Sequence, residues 1–295
     1  MADQAEFEQH RAHLHAVAYR ITGSVADADD AVQEAWLRWN AVEDGTAGNP
    51  RAYLTTTVSR LCYDQLTSAR ARRERYVGPW LPEPLVTAPA EEGPAERVAL
   101  DESVSTAMLT VLESLTPAER VAFVLHDVFG VPFPEIAQAL DKSPAAVRQS
   151  ASTARKHVRE ARPRQRVGRD EHRRAVETFL AAITGSGDLD ALLRVLAPQV
   201  VWRSDGGGVV SAARRPVRGA AKVAALAQGI YRFFDPASMR ILRYDVNGAP
   251  GLVLDARAVG YHGTLSFTIG EDGLISGIDV VLNPEKLGHL DFDAL

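Results

Sequence analysis

A proline-dense segment near residue 80 limits how this chain can fold more than any other feature. Five prolines fall within residues 76–95 of the 295-residue chain. Prolines at this density exclude a helix and favour extended or polyproline geometry, so the segment divides the chain into an N-terminal and a C-terminal part. It also carries Tyr76, Trp80 and Leu81, which a solvated spacer does not need. We therefore expect a linker that docks on another part of the protein.

Residues 1–75 have the periodicity of helices. Apolar residues recur there at three- and four-residue spacing, which predicts three helices, the third over residues 50–75. The spacing places Trp36 and Tyr53 in the core. Cys62 lies inside the third helix, and we expect a buried thiol there rather than a redox sensor.

Residues 96–166 are helical again and predict a helix-turn-helix. Thr116 and Glu119 fit a capping box, and a short helix over 133–140 precedes a tight turn and a longer basic helix. In this motif the start of the second helix meets base edges, while nearby cations bind phosphates. The residues that suit these roles are Ser143, Ala145, Ala146, Arg148, Gln149, Arg155 and Lys156. An ordinary helical hairpin is the alternative.

The charge of the chain is distributed unevenly. Residues 142–174 hold 11 basic and 3 acidic residues, whereas residues 76–141 hold 2 basic and 11 acidic residues. A second basic run occupies residues 70–75. Two basic segments with an acidic stretch between them suggest two contacts with a polyanion. Two solvated helix faces are the alternative interpretation.

From about residue 173 onward the pattern changes. Two short helices come first. Strand-like runs follow at residues 200–202, 251–254, 260–261, 265–269 and 275–282, with residues 271–273 as a hairpin turn. Helices followed by several antiparallel strands indicate an α+β domain. The predicted fold is therefore multidomain, with two all-α domains followed by an α+β domain.

Several motifs resemble those of the extracytoplasmic-function (ECF) sigma factors of bacterial RNA polymerase. Residues 27–37 resemble the helix that docks on polymerase, and residues 50–54 resemble the start of the helix that reads the minus-ten element. Residues 115–120 and 133–159 resemble the domain that reads the minus-thirty-five element. Because the motifs occur in the family's order and spacing, the chain is identified as a member of this family.

The resemblance implies two binding surfaces in the first domain. On the polar face of the second helix it implies contacts with core polymerase from Asp30, Gln33, Glu34 and Leu37. Promoter melting needs capture of flipped bases together with cations that hold phosphates. The third helix supplies the minus-ten candidates Arg51, Arg60, Gln65, Arg70, Arg72 and Arg73, and residues 44–49 are a candidate pocket wall.

Three further motifs resemble the SigJ-like subgroup of this family. Its members carry a SnoaL-like domain, of the NTF2-like cone fold, after the second sigma domain. The resemblance implies that this domain controls the sigma part through an intramolecular contact. The glycine triplet at residues 206–208 can present backbone amides to a partner, and the linker motif at residues 80–84 is a natural ligand for it. The motif residues are Trp80, Leu81, Pro82, Glu83, Pro84, Asp205, Gly206, Gly207, Gly208, Asn283, Pro284 and Lys286. The chain departs from the pattern at Val209, where a basic residue is expected.

These motifs predict the organisation of the chain. Residues 1–75 bind core polymerase and the minus-ten element, residues 76–95 form the linker, residues 96–166 bind the minus-thirty-five element, and residues 173–295 regulate. We expect no enzymatic activity, cofactor or metal site, and a chain that works in the cytoplasm. His10, His13 and His15 do not share one helix face, and we expect them to be ordinary surface or core residues.

Two other functions stay open at the level of sequence. One is a ligand-sensing helix-turn-helix regulator that never touches polymerase, with a small molecule bound in the C-terminal domain. The other is an enzyme, because NTF2-like cones include enzymes that use a carboxylate or a His–Asp pair as a general base. The candidates for that base are Asp205, Asp255, His262 and Asp279, and no pair of them has a diagnostic spacing.

Overall fold

The computed structural model describes residues 4–41, 48–73, 76–89, 105–161, 167–185, 189–235 and 238–295. The chain forms two compact units. The first unit combines Met1–Arg75 with Met108–Arg162, and the second combines Tyr76–Ala107 with Pro163–Leu295. The proline-rich linker thus belongs to the same unit as the C-terminal part of the chain. Across the described residues, none of the helices is both long and apolar enough to cross a lipid bilayer.

The first unit begins with three helices, α1 (Gln4–Thr22), α2 (Val25–Asn40) and α3 (Pro50–Arg73). The Ser24 hydroxyl caps α2 by accepting the N–H of Asp27 at 3.0 Å. Trp39 is buried, whereas Trp36 is half-buried against Phe7. The prediction for Tyr53 is wrong: its side chain is 37% exposed. The buried line of α3 runs through Leu54, Val58, Cys62 and Leu66, and Tyr53 lies one residue, or about 100°, away from it.

The second half of this unit contains the helix-turn-helix. The helices of this half are α4 (Thr106–Glu113), α5 (Pro117–Phe123), α6 (Phe133–Leu140) and α7 (Pro144–Ala161), with a π-helical turn at Val124–Val128. The helix-turn-helix consists of α6 and α7. Thr116 and Glu119 form the reciprocal capping box of α5, as predicted. Asp141 adopts φ 51°, and this left-handed residue turns the chain from α6 into α7. The helix-turn-helix prediction is confirmed.

The second unit is an α+β domain, which confirms the predicted class. Its helices are α8 (Arg169–Thr184), α9 (Leu189–Val195) and α10 (Ala220–Phe233). Its strands are β1 (Val86–Thr87), β2 (Leu196–Asp205), β3 (Val217–Arg218), β4 (Arg240–Val246), β5 (Ala249–Ala256), β6 (Tyr261–Ile269) and β7 (Ile275–Val281). They form one sheet in the order β1-β4-β5-β6-β7-β2-β3, in which β2 and β7 are parallel and the other neighbours are antiparallel. The predicted hairpin turn at residues 271–273 joins β6 and β7.

Different elements pack on the two faces of this sheet. One face packs on the three helices, around Phe179, Trp202 and Phe267. On the opposite face, Val253 and Val281 belong to a second buried cluster. The other members of that cluster are Leu81, Leu287 and Phe292, which come from the linker and the C-terminal segment. This second face, here called the outer face, positions the candidate site.

Candidate functional site

The linker is attached to the C-terminal domain through the carboxylate of Asp205, at the end of β2. Asp205 is completely buried. One carboxylate oxygen accepts the backbone N–H of Leu81 at 2.8 Å, and the other accepts the hydroxyl of Tyr76 at 2.5 Å. The N–H of Gly207 donates to the same carboxylate at 3.1 Å. A buried carboxylate is costly unless such donors surround it, so Asp205 holds the linker strongly in place.

Lys286 supplies the countercharge for Asp205. Its ammonium donates to the Asp205 carboxylate at 2.8 Å and to the carbonyl of Leu81. The same nitrogen lies 3.7 Å from the centre of the Trp80 ring, a cation–π distance. Lys286 is only 6% exposed, so this charge is satisfied entirely by its neighbours. Two consecutive linker residues thus bind one lysine through different groups.

Asn283 connects β7 to the same cluster. Its side-chain amide donates to the Tyr76 hydroxyl at 2.9 Å, and its backbone N–H donates to the Asp205 carbonyl at 3.0 Å. Burial and the hydrogen bond to Asp205 raise the pKa of Tyr76, which keeps the phenol protonated and therefore a donor. We call Tyr76, Leu81, Asp205, Asn283 and Lys286 the Asp205 cluster.

The linker continues along the sheet as an edge strand. β1 pairs with β4, and the Asn247 side-chain oxygen accepts the N–H of Leu85 at 3.0 Å. The N–H of Asn247 returns a hydrogen bond to the Leu85 carbonyl at 2.8 Å. A ring nitrogen of His289 lies 2.8 Å from the carbonyl oxygen of Pro84. The linker therefore has a second attachment, a few residues beyond Leu81.

The predicted motif residues of the linker are packed against the domain. Leu81 is completely buried among the apolar side chains of the outer face. Glu83 is 9% exposed, and Pro82 and Pro84 are buried beside it. Pro284 is half-buried in the short turn that carries Lys286. The sequence motif thus corresponds to one continuous docked segment.

The glycine triplet has a different role from the one expected. The sequence suggested that its backbone amides face a partner, but the Gly207 amide donates to the carboxylate of Asp205. Gly207 and Gly208 both have positive φ, and a Cβ at Gly207 would lie 2.5 Å from the Asn283 side chain. The triplet therefore allows a close turn, and the linker binds to Asp205, which precedes the triplet. Val209, the departure from the pattern, is 70% exposed.

Two residues of the site, Asn247 and His289, were not predicted to bind the linker. Tyr76 was expected to dock as part of the linker, but its partner Asp205 was not predicted. Asn247 precedes Gly248, and an Asn–Gly pair between two strands is a strong signal for a tight hairpin turn. That signal predicts the β4–β5 turn but not its bond to Leu85. His289 has no comparable local signal.

The carboxylates considered as general bases are occupied by cations. Arg203 binds Asp279 through two hydrogen bonds, at 2.5 and 3.0 Å. Arg257 donates to Asp255 and lowers the pKa of its carboxyl, with Arg240 as a second partner. Burial lowers the pKa of His262, whose ring packs edge-on against Phe292. A general base needs a lone pair that faces substrate, and these carboxylates direct theirs at arginines instead.

The predicted polymerase-binding residues share one side of α2. Asp30, Gln33 and Leu37 are exposed at positions i, i+3 and i+7, so they lie along one face. Leu37 is 56% exposed. Glu34 is half-exposed and pairs with Arg38 at 3.0 Å. The four residues form a continuous strip of mixed polarity.

The minus-ten candidates on α3 do not form one surface. Arg51 and Arg60 are both exposed, but nine residues separate them, which places them on opposite sides of the helix. Gln65 is a correction: its amide nitrogen donates to the Asp27 carbonyl at 3.4 Å, and its oxygen is buried. Gln65 therefore ties α3 to α2. The side chains of Arg70, Arg72 and Arg73, and most of the turn at 44–49, lie outside the described residues.

The minus-thirty-five candidates lie in the turn before α7 and on α7 itself. The Ser143 hydroxyl caps α7 by accepting the N–H of Ala146 at 3.2 Å. Arg155 differs from the expectation, because its guanidinium pairs with Asp127 at 2.6 Å. The other candidates are exposed, one just before α7 and the rest on it: Ser143, Ala145, Ala146, Arg148, Gln149 and Lys156. Val147, Ala151 and Ala154 face the core, so the polar side of α7 points away from the core.

Comparisons with known proteins give consistent matches. The family model of Sigma-70 region 2 matches residues 7–72, and that of Sigma-70 region 4 matches residues 105–158. The ECF RNA polymerase sigma factor SigJ of Mycobacterium tuberculosis (strain ATCC 25618 / H37Rv) is 48% identical over 234 residues, which cover 79% of this chain and 74% of SigJ. The probable ECF sigma factor SigI of M. tuberculosis is 36% identical over 290 residues, 97% of this chain and 95% of SigI.

A solved structure matches over nearly the whole length. The crystal structure of M. tuberculosis SigJ superposes with a TM-score of 0.77 at 38% identity. The match covers 97% of this chain and 98% of that one. The order of helical domains followed by a sheet-containing domain is therefore shared with SigJ.

Proposed function

This chain belongs to the extracytoplasmic-function family of RNA polymerase sigma factors, and on that premise we propose that it binds core RNA polymerase and directs initiation at specific promoters. The proposal assigns it no enzymatic step and places it in the cytoplasm with polymerase. The polymerase contact is the α2 strip of Asp30, Gln33, Glu34 and Leu37. The exposed Leu37 supports this role, because an apolar side chain at the end of a polar strip suits a protein partner.

The promoter contacts divide between the two helical domains. Region 2, within residues 1–75, binds the minus-ten element through α3 and the basic residues at its end. Region 4, within residues 96–166, binds the minus-thirty-five element through α7. Small residues at the start of α7 approach base edges, while Arg148 and Lys156 bind phosphates. Since phosphate contacts dominate the affinity of proteins for DNA, promoter binding is expected to weaken steeply as the salt concentration rises.

The C-terminal domain controls the sigma domains through the linker. The observation that carries this proposal is the Asp205 carboxylate, which binds the linker at both Tyr76 and Leu81. A linker fixed to the domain restricts the positions that regions 2 and 4 can reach. Release of the linker shifts the population of molecules toward other arrangements of regions 2 and 4. Any ligand that regulates the chain at this site must have different affinities for the docked and released states.

The experiment is transcription with purified core polymerase on promoters selected by the full-length chain. The chain is expected to co-elute with core polymerase and to start transcription at discrete sites. Asp205→Asn is expected to change the initiation rate. Asp279→Asn is the matched control, because Asp279 is equally buried on the same sheet face but binds Arg203 rather than the linker. A chain that does not bind core polymerase at low salt, or an equal response to both variants, contradicts the proposal.

A further inference from the structure

Arg148, on α7, lies against the ring of Phe133, the first residue of α6. The guanidinium carbon of Arg148 is 5.8 Å from the centre of that ring, within the range of a cation–π interaction. Phe133 is half-buried, whereas Arg148 is exposed. The contact therefore joins the two helices of the helix-turn-helix at the surface where α7 is proposed to meet DNA.

His126 supports the ring of Phe133 from the preceding turn. The two rings stack with their centres 3.9 Å apart and their planes 26° from parallel. His126 belongs to the π-helical turn, and its Nδ1 lies 3.1 Å from the carbonyl oxygen of Val131. This hydrogen bond restricts rotation of the imidazole, and the stacked imidazole in turn restricts rotation of the phenyl ring.

The inward face of α6 fixes where the ring of Phe133 lies. Phe133 shares that face with Ile136, Ala137 and Leu140, because these residues are three, four and seven positions further along the helix. Those three residues are buried, whereas Phe133, at the start of the helix, is only half-buried. Core packing thus anchors the residue and leaves part of its ring at the surface, beside Arg148.

The two arginines of α7 that the sequence assigned to DNA are held in different ways. The carboxylate of Asp127 lies 2.6 Å from Nε of Arg155 and offsets its positive charge. Within the described part of the chain Arg148 has no acidic partner of this kind, and an aromatic ring carries no formal charge. Arg148 is therefore restrained while its whole charge stays available for a phosphate.

Restraint of an exposed arginine affects how tightly it binds DNA. The side chain has many rotamers in solution, and most of that freedom is lost when the guanidinium binds a phosphate. A side chain that is already restricted in the free protein loses less freedom on binding, so its preorganisation increases affinity.

We infer that Phe133 is a positioning residue for Arg148: its ring, stacked on His126, restricts the guanidinium to the orientation from which it binds a promoter phosphate. The inference rests on the proposed function, because the role of Phe133 is exerted in promoter binding. Phe133 itself does not have to touch DNA. Since it acts through Arg148, its effect on promoter binding must depend on the presence of Arg148.

The test is a double-mutant cycle, measured as binding of the full-length chain with core polymerase to a promoter duplex. Phe133→Leu removes the aromatic face but keeps an apolar side chain, and Arg148→Gln removes the cation. Phe133→Leu is expected to weaken binding about 2- to 10-fold when Arg148 is present, and by less than about twofold in Arg148→Gln. Phe133→Tyr keeps the aromatic face and should bind like the parent. The control Phe123→Leu changes another half-buried ring of region 4 and should act equally in both backgrounds.

A second measurement needs neither polymerase nor DNA. In the free full-length chain, the side-chain resonances of Arg148 should carry a ring-current shift that Phe133→Leu abolishes and Phe133→Tyr retains. Promoter binding without this shift in the parent, or equal losses from Phe133→Leu in both backgrounds, would overturn the inference and leave the proposed function intact. A parent complex that binds a promoter duplex no better than an unrelated duplex would instead contradict the proposed function, and the inference with it.

Discussion

Leu81 and Asp205 are 124 residues apart in sequence, yet the carboxylate of Asp205 accepts the backbone N–H of Leu81 at 2.8 Å. The backbone N–H at position 81 can donate this bond whichever side chain the residue carries, proline excepted. The bond therefore fixes the path of the linker and does not select its sequence. The side-chain chemistry comes from Tyr76 and Trp80, which bind Asp205 and Lys286. The backbone of the linker and its side chains are therefore recognised through different atoms of the Asp205 cluster.

Removing the charge of Lys286 should release the linker and destabilise the domain. In Lys286→Met the Asp205 carboxylate stays buried but loses its cation, and breaking a buried ion pair costs about 3–5 kcal/mol. Chemical denaturation of the full chain measures the loss. Lys222→Met, at an exposed lysine on α10, is the control and should change the free energy of unfolding by less than about 0.5 kcal/mol. Equal stabilities of the two variants would contradict the assigned role of Lys286.

A methyl group at Gly207 should disturb the cluster without changing any charge. Its φ is +62°, and an added Cβ would lie 2.5 Å from Asn283, so Gly207→Ala should cost roughly 1–3 kcal/mol. Gly229→Ala is the opposite case, because that glycine lies inside α10 with no atom within 4 Å of the new Cβ. It should stabilise the protein by roughly 0.5–1 kcal/mol. Thermal melting of the two variants should therefore shift in opposite directions.

Stability should fall as the pH is lowered from about 6.5 toward 4. Burial, with the charge of Arg169 contributing, lowers the pKa of His172 to about 4. The unfolded chain then binds a proton in this range that the folded chain does not, so acid favours unfolding. Replacing the histidine in His172→Gln should flatten this part of the pH profile, measured by thermal melting. The exposed His157→Gln is the control, and a profile equally steep in both variants would argue against His172 as the source.

Two residues of α7 should affect promoter binding differently. Gln149→Ala should cost about 1–3 kcal/mol at the preferred minus-thirty-five sequence and relax the preference, because it removes a base contact. Lys156→Ala should weaken binding to all sequences and reduce the salt slope by about 1, because it removes a phosphate contact. Binding of the polymerase complex to a set of promoters at several salt concentrations separates these effects. A loss of sequence preference in Lys156→Ala would reverse the assignment.

Local signals predicted the helical part of the molecule well. The capping box at Thr116 and the helix-turn-helix depend on residues within a few positions of one another. The strand β4 was missed for a physical reason. Its sequence carries charges on both faces, since Arg243 binds Glu177 on α8, whereas Arg240 points to the opposite face and binds Asp255. The usual alternation of polar and apolar residues is therefore absent.

The functional contacts were predictable as motifs but not as geometry. Asp205, Leu81 and Lys286 were all identified as motif residues, yet nothing local indicates that the carboxylate rather than the glycine amides would bind the linker. Gln65 shows the converse problem. Its place beside the basic residues of α3 suggested DNA, whereas the packing of α3 on α2 directs it to the Asp27 carbonyl. Both outcomes depend on residues that are distant in sequence.

Hydrogen exchange at the Leu81 amide tests the central claim most directly, because this N–H donates the hydrogen bond that joins the linker to Asp205 of the C-terminal domain. In the free full-length chain, Leu81 and Leu85 are expected to exchange far more slowly than an unstructured peptide. In Asp205→Asn the protection of Leu81 should be lost, while Asp279→Asn should retain it. Exchange of Leu81 at the unstructured rate in the parent chain would contradict the account, because the C-terminal domain would then not hold the linker.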